Sequence, residues 1–406
     1  MHNIRRIAYA IPKEEEQMTH VQKGAKYTLK NLLGKTRKEN ELRMKVLRYV
    51  MAVGFVLSPW LGGEAYAAGI ERVDNITLPN GLDKTYLQND SNVAHIYAEQ
   101  ASGDVGLNRF KTFEVGAGQI ANLYFKTSAT DTNHLNTLVN TVQERISISG
   151  TVNAIRNNEV GGKLYFLSPK GMVVGAGGVI NAGALTVITT GVDKITTPAE
   201  AISTINSAYS NSSSLALTEH PIEIHGQINT VNGIDLRSLS IAISKDSTSG
   251  IKPYLKTGMV FETIVNTNGL IDEVKLTGER SNSTDTKIEL CAYKASIDEW
   301  NDTHKQLGNI TLSGCDVDAL GDINIVSGES LHINNKTDNN TIINTNINTN
   351  NAISIDLEHT DTNSQYVGNF VFESGRIEAG GMPYITVGND INIGNYATFV
   401  STLVTN

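Results

Sequence analysis

Cysteine is nearly absent, with 2 in 406 residues. Two thiols cannot make the disulfide framework of a small secreted domain or a four-ligand zinc site. Proline is also scarce, at 8 residues, which excludes a proline-rich stalk. Charged residues make up 18% and aromatics 6%. Gly, Asn, Thr, Ile and Val take their place, a mixture suited to short strands and turns more than to helices. The length is ample for a sizeable buried core.

Charge divides the chain in two. Residues 1–67 hold 12 of the 33 Lys/Arg and 6 of the 42 Asp/Glu, a net of +6 against −15 for the remainder. The basic part ends at Arg48 and the apolar run Tyr49–Leu57 follows; Ser58-Pro59 and Glu64-Ala65-Tyr66-Ala67-Ala68 come next. Basic region, apolar run and small-x-small site together make a secretory signal peptide. The apolar run is too short and broken for a membrane span of about 20 residues. Residues 1–67 are therefore expected to be an extended signal with an N-terminal signal helix, cut between Ala65/Ala67 and Ala68. A start at Met18 or Met44 would give a shorter signal. The acidic remainder argues against nucleic acid and anionic lipid as partners.

After the cut the pattern is strand, turn, strand. Ile146–Val152 and Ile222–Ile228 alternate apolar with polar residues around a Gly, and 274–278 and 310–314 repeat the form. A period of two buries one face of each strand. Asn-Gly elements at 181–183, 232–233 and 268–269 supply corners. Strands of similar phase with recurring corners fit a solenoid, with coils stacked about 4.8 Å apart; an ordinary β-sandwich uses the same composition. Thr197-Pro198-Ala199-Glu200 reads as a capping box with proline at the first helical position. With Ala201, Ile202, Ile205 and Ala208 on one face, it predicts a short helical excursion over 198–209. Residues 334–351, rich in Asn and Thr, fit either a stacked amide ladder or a loop. Cys291 and Cys315 lie about one coil apart, which would stack them as a disulfide or as two buried thiols. Gly388–Gly394 is coil-like and no polar cap follows, so residues 261–406 are expected to be further coils of a truncated solenoid.

No cluster of residues points to a reaction. The glycines of 115–118 and 174–178 are followed by strand-like residues, whereas a dinucleotide site needs a helix there. The histidines show no metal spacing, and Glu223 and His225 share one strand face. No catalytic, metal or cofactor residue is assigned. Secreted β-helical polysaccharide lyases and hydrolases remain the alternative class; Asp316 and Asp318 share a face, but no basic partner is evident in the sequence.

Gly106–Val115, Leu138–Val142 with Ile148–Val152, Gly162–Met172 and Ile180–Thr190, four runs in this order, together resemble the two-partner secretion domain of filamentous-haemagglutinin-type adhesins, with the leukotoxin-like filamentous adhesins closest in wording. Gly106–Val115, with Asn108, Phe110 and Phe113, is similar to that family's early Asn-x-Phe-x-x-Phe run. Leu138–Val142, with Asn140, followed by Ile148–Val152, matches its central strands. Gly162–Met172 sits where the family has Asn-Pro-Asn-Gly-Ile: Pro169 and Gly171 remain, while Ser168 and Lys170 replace the asparagines. Ile180–Thr190, with Asn181, resembles the closing run, Ala184 replacing its second Gly. The resemblance implies an all-β, right-handed parallel β-helix over 68–260, capped at its start by residues after the signal. It implies passage through the Sec machinery and then an outer-membrane two-partner transporter. Asn108, Phe110, Phe113, Asn140, Ser168, Pro169, Lys170, Gly171 and Asn181 would be the recognition residues. The product would be a non-enzymatic adhesin or cytotoxin-like exoprotein, secreted or at the surface of a Gram-negative-type bacterium, with an unidentified cell-surface receptor.

Overall fold

A computed structural model of the chain describes residues 69–73, 92–210, 217–218, 220–247, 249–267, 269–279, 286–293, 308–338, 341–357, 359–360, 366–381 and 383–401. The expected signal, its helix and the cleavage residues Ala65, Ala67 and Ala68 lie outside them.

The chain winds into a parallel β-helix with three faces. Face one stacks Val93–Tyr97, Ile120–Tyr124, Thr151–Arg156, the first parts of Val179–Ile188 and Gln227–Ser238, Tyr254–Lys256, Asp316–Ala319 and Asn346–Thr349. It ends on the second parts of Asn369–Ala379 and Ile391–Ser401. Face two runs from Val105–Val115 through Thr137–Val142, Lys163–Leu167, residues 184–188, 233–238, Lys287–Ala292, Asp322–Ser327 and Ile353–Leu357 to Tyr384–Val387. Face three runs from residues 114–115 through Ile146–Ile148, Met172–Val174, Ile222–Ile224, Ser240–Ser244, Asn309–Ser313 and Ser330–Asn334 to residues 369–372 and 391–393.

Parallel register places like residues above one another. On face three, Ile148, Val174, Ile224, Ile243, Leu312, Ile333 and Phe372 form one inward row. All of them are buried. Burial of each such side chain stabilises by about 1.5–3 kcal/mol, and the core is continuous from Ile70 to Ala379. The corners are tight. A Cβ at Gly226 would meet the Gly178 and Gly175 carbonyl oxygens at 2.3 and 2.4 Å, so only glycine lets one coil settle on the next there.

Two excursions cover the outside of the early coils. The helix Pro198–Ser210 has the expected capping box: Glu200 N donates to Thr197 Oγ1 (3.3 Å), and Thr197 N donates to Glu200 Oε2 (3.0 Å). Its Ala201, Ile205 and Ala208 bury against Leu107, Val139, Leu167 and Ile188 on the outside of face two. That cover explains why Thr137–Val142 is buried on both sides. The antiparallel hairpin Met259–Val265/Ile271–Glu279 covers the outside of face one. The strand Met259–Val265 runs across the domain limit expected at residue 260, and the three faces continue on both sides of it.

The opening edge of face two is covered. Ile70–Arg72 and Gln100–Ser102 pair antiparallel with Val105–Val115. At the other end, the inward positions Ile391, Ile393 and Phe399 are 59%, 52% and 40% exposed.

Among the described residues of 334–351, short strands replace the expected ladder or loop. Lys336–Asp338 and Thr341–Ile343 form a small hairpin, and Asn346–Thr349 returns to face one.

The two cysteines are free and buried, and their expected stacking is a correction. Cys291 lies on face two with Val326 as its register partner in the next coil, whereas Cys315 sits at the corner leading into face one. Their spacing spans most of a coil but does not return to the same face. Burial pushes the thiols up, to about 11 for Cys291 and about 12 for Cys315. Both therefore stay protonated and unreactive up to about pH 9 in the folded chain. Thiol-labelling at pH 8 should be slow for the native protein and fast in denaturant, and reductant should leave the melting curve unchanged.

Candidate functional site

The runs that carry the resemblance converge on successive early coils. Asn108 and Asn140 are register partners on face two, and both point into the core. Asn108 Nδ2 donates to Asn140 Oδ1 (2.9 Å), and Asn140 Nδ2 donates to Tyr165 O (3.1 Å). Asn108 Oδ1 accepts from Glu99 N (3.0 Å). The two amides thus satisfy each other in a site without water-facing surface. Beside them Phe110, Phe113 and Phe166 pack edge-to-face, each successive pair with centroids 5.2 Å apart.

Arg72 crowns this cluster, its guanidinium 5.4 Å from the Phe110 ring centre. Glu99, with its side chain fully buried, accepts from Arg109 Nη2 (2.6 Å) and Nε (3.0 Å) and lies 3.5 Å from Arg72 Nη1. Burial pulls the Arg72 guanidinium below its ordinary value, and Glu99 opposes that. The hub ties the capping strand to the first coil. Sequence reading missed it, because nothing local links residues 27 apart.

The turn 168–171 joins faces two and three. Lys170 has a negative φ, which excludes a type II turn, and Gly171 has φ +74°. Ser168 Oγ donates to Glu144 O (2.8 Å) and accepts from Lys170 N (3.1 Å). This hydroxyl does what an Asn side chain does at the start of such a turn. Pro169 O accepts from Thr218 Oγ1 (2.6 Å). Lys170 points outward, paired with Glu144 at 2.6 Å.

Asn181 belongs to an outer row on face one that the sequence did not reveal. Asn229 donates to Asn181 (3.1 Å), Asn181 to Asn153 (2.8 Å), and Asn153 to Asn122 (2.9 Å). The separations along the chain are 48, 28 and 31 residues, too irregular for a fixed-period search. Asn122 Nδ2 in turn donates to Ile271 O of the covering hairpin (3.1 Å). Of the nine recognition candidates, the structure buries Asn108, Phe110, Phe113, Asn140, Ser168, Gly171 and Asn181, half-buries Pro169 and exposes Lys170.

Several charged groups elsewhere are paired. Asp316 lies 2.5 Å from Lys252 and Asp318 lies 3.7 Å from Lys256. These are the basic partners that the sequence did not show. Burial raises the Asp318 carboxyl, and Lys256 opposes it. Glu223 pairs with Arg145 (2.9 Å), and His225 Nδ1 lies 2.8 Å from Ser244 O. Under the end of the helix, Arg237 sits 4.0 Å from the Tyr209 ring centre and bridges Asp235 and Glu289. Among the described residues, no group of three or more His, Cys, Asp or Glu is placed to hold a metal ion. No helix among them is long and apolar enough to cross a membrane. No protein-family model matches this chain, and no curated protein is significantly similar to it.

Proposed function

We propose that this chain is the secretion domain of a two-partner exoprotein of the adhesin or cytotoxin type. The Sec machinery carries it to the periplasm, and a dedicated outer-membrane β-barrel pore carries it to the cell surface or the medium. The observation that supports this reading is where the resembling residues lie. Asn108, Asn140, Phe110, Phe113 and Asn181 are buried in stacked coils, so a partner that reads them meets them before the coils form. Recognition of the extended chain by the pore's periplasmic domains fits that burial. Folding outside the cell then favours outward movement, since each added coil buries apolar surface at about 25 cal/mol per Å². The chain acts here as cargo and scaffold, without cofactor, catalytic residue or nucleic acid.

The test is export from a host with two membranes, with and without a pore of the two-partner class. The mature chain should reach the medium only with the pore and accumulate in the periplasm without it. The pore's purified periplasmic domains should bind the urea-unfolded chain and leave the folded chain unbound. Release that ignores the pore, or equal binding of both forms, would count against the reading.

A further inference from the structure

The hairpin Met259–Glu279 docks on a platform made by coils laid down more than a hundred residues earlier. Tyr97, Tyr124 and Ile155 are register partners on three successive coils of face one. Tyr97 and Tyr124 stack with centroids 4.9 Å apart. Val160 completes the platform; it is brought back beside Ile155 by a tight turn in which Asn157 and Asn158 have φ of 56° and 62°. Leu270 and Ile271, from the turn end of the hairpin, bury against these four side chains.

Polar contacts fix the depth and direction of docking. Ile271 N donates to Tyr124 Oη (3.0 Å), and Ile271 O accepts from Asn122 Nδ2 (3.1 Å). Both backbone groups of one hairpin residue are thus held by side chains of one coil. His95 Nδ1 lies 2.9 Å from Tyr124 Oη. Thr263 Oγ1 donates to Asn158 O (2.6 Å), a second anchor on the tight turn.

We propose that the outer face of the first coils is a binding site for an extended peptide segment, and that the chain's own hairpin is its ligand. The site exists only when the coils bearing Tyr97, Tyr124 and Ile155 are stacked in register, because no single coil supplies the platform. Docking therefore follows stacking and then locks it. The contacts span 105 to 149 residues of sequence, so the lock closes only after the chain has been made available through residue 279. This inference does not rest on the export reading, since it concerns the folded chain alone.

The test is hydrogen exchange by mass spectrometry on the full mature chain, comparing wild type with Tyr124→Phe and Ile271→Asp. Tyr124→Phe keeps the ring and removes only the hydroxyl. It should speed exchange in residues 259–279 about fivefold, the effect of losing the one hydrogen bond by which that hydroxyl holds the hairpin. Ile271→Asp should undock the hairpin, opening it to protease and speeding its exchange by at least about a hundredfold. In both variants exchange should rise in residues 93–160 and stay unchanged in residues 309–357. Wild-type protection of the hairpin in both variants would overturn the proposal. So would loss of hairpin protection with no change in residues 93–160. Should Ile271→Asp unfold the entire chain, Tyr124→Phe alone decides between these outcomes.

Discussion

Replacing Gly171 by valine is expected to destabilise the early coils by about 3–5 kcal/mol and to stop release of the mature chain. Two costs combine. The φ of +74° at this residue is one that a β-branched side chain scarcely adopts, at about 1–3 kcal/mol. A Cβ there would also stand 2.2 Å from the Pro221 carbonyl oxygen in the next coil. That oxygen accepts from Met172 N at 3.2 Å, so moving it away breaks the first rung between Met172–Val174 and Ile222–Ile224. Urea melts of the purified mature chain measure the loss, and partition between periplasm and medium measures release. Lys170→Ala is the control at the same turn. Its exposed ion pair with Glu144 should change stability by less than about 1 kcal/mol. A Gly171→Val chain as stable as wild type would mean that the corner is not held as described.

The β-helix was readable before any coordinates because its two local signals agree. Period-two strands at 146–152 and 222–228 carry a buried face, and Gly corners recur beside them. The helix at 198–210 was readable for a local reason too, since a capping box lies within four residues. What escaped depends on coil length. Offsets between stacked asparagines range from 28 to 48 residues because the helix and other excursions are inserted between coils. The amide row on face one, the Glu99 hub and the hairpin platform therefore had no periodic trace. The same irregularity misled the cysteine argument, where 24 residues carried the chain to a different side. Asp316 and Asp318 lacked a visible partner because Lys252 and Lys256 precede them by 64 and 62 residues, across the intervening hairpin. The recognition candidates rest on a likeness in sequence, which does not say which way a side chain points. Asn108 and Asn140 look like surface residues by type, yet on face two they occupy the same inward row as Phe166 and Val187.

That inward pair allows recognition to be separated from stability. Asn140→Leu alone should cost about 1–3 kcal/mol, because it leaves Asn108 Nδ2 buried without its acceptor. Asn108→Leu together with Asn140→Leu should recover most of that loss. Glu99 N, which donates to Asn108 Oδ1, also donates to Leu107 O at 3.0 Å, so its hydrogen bond survives the exchange. Two facing leucines then continue the apolar row above Phe166, and replacing both polar partners by apolar groups is often close to neutral. Urea melts of the two single variants and the double variant complete a double-mutant cycle, with a coupling energy of about 2 kcal/mol or more. Export of the double variant then decides what the amides are for. If a pore reads them in the extended chain, the double variant folds normally in vitro yet stays in the periplasm, because its unfolded form no longer carries the two amides. If they serve only to fill the core, its release tracks its recovered stability, and the recognition role assigned to Asn108 and Asn140 is wrong.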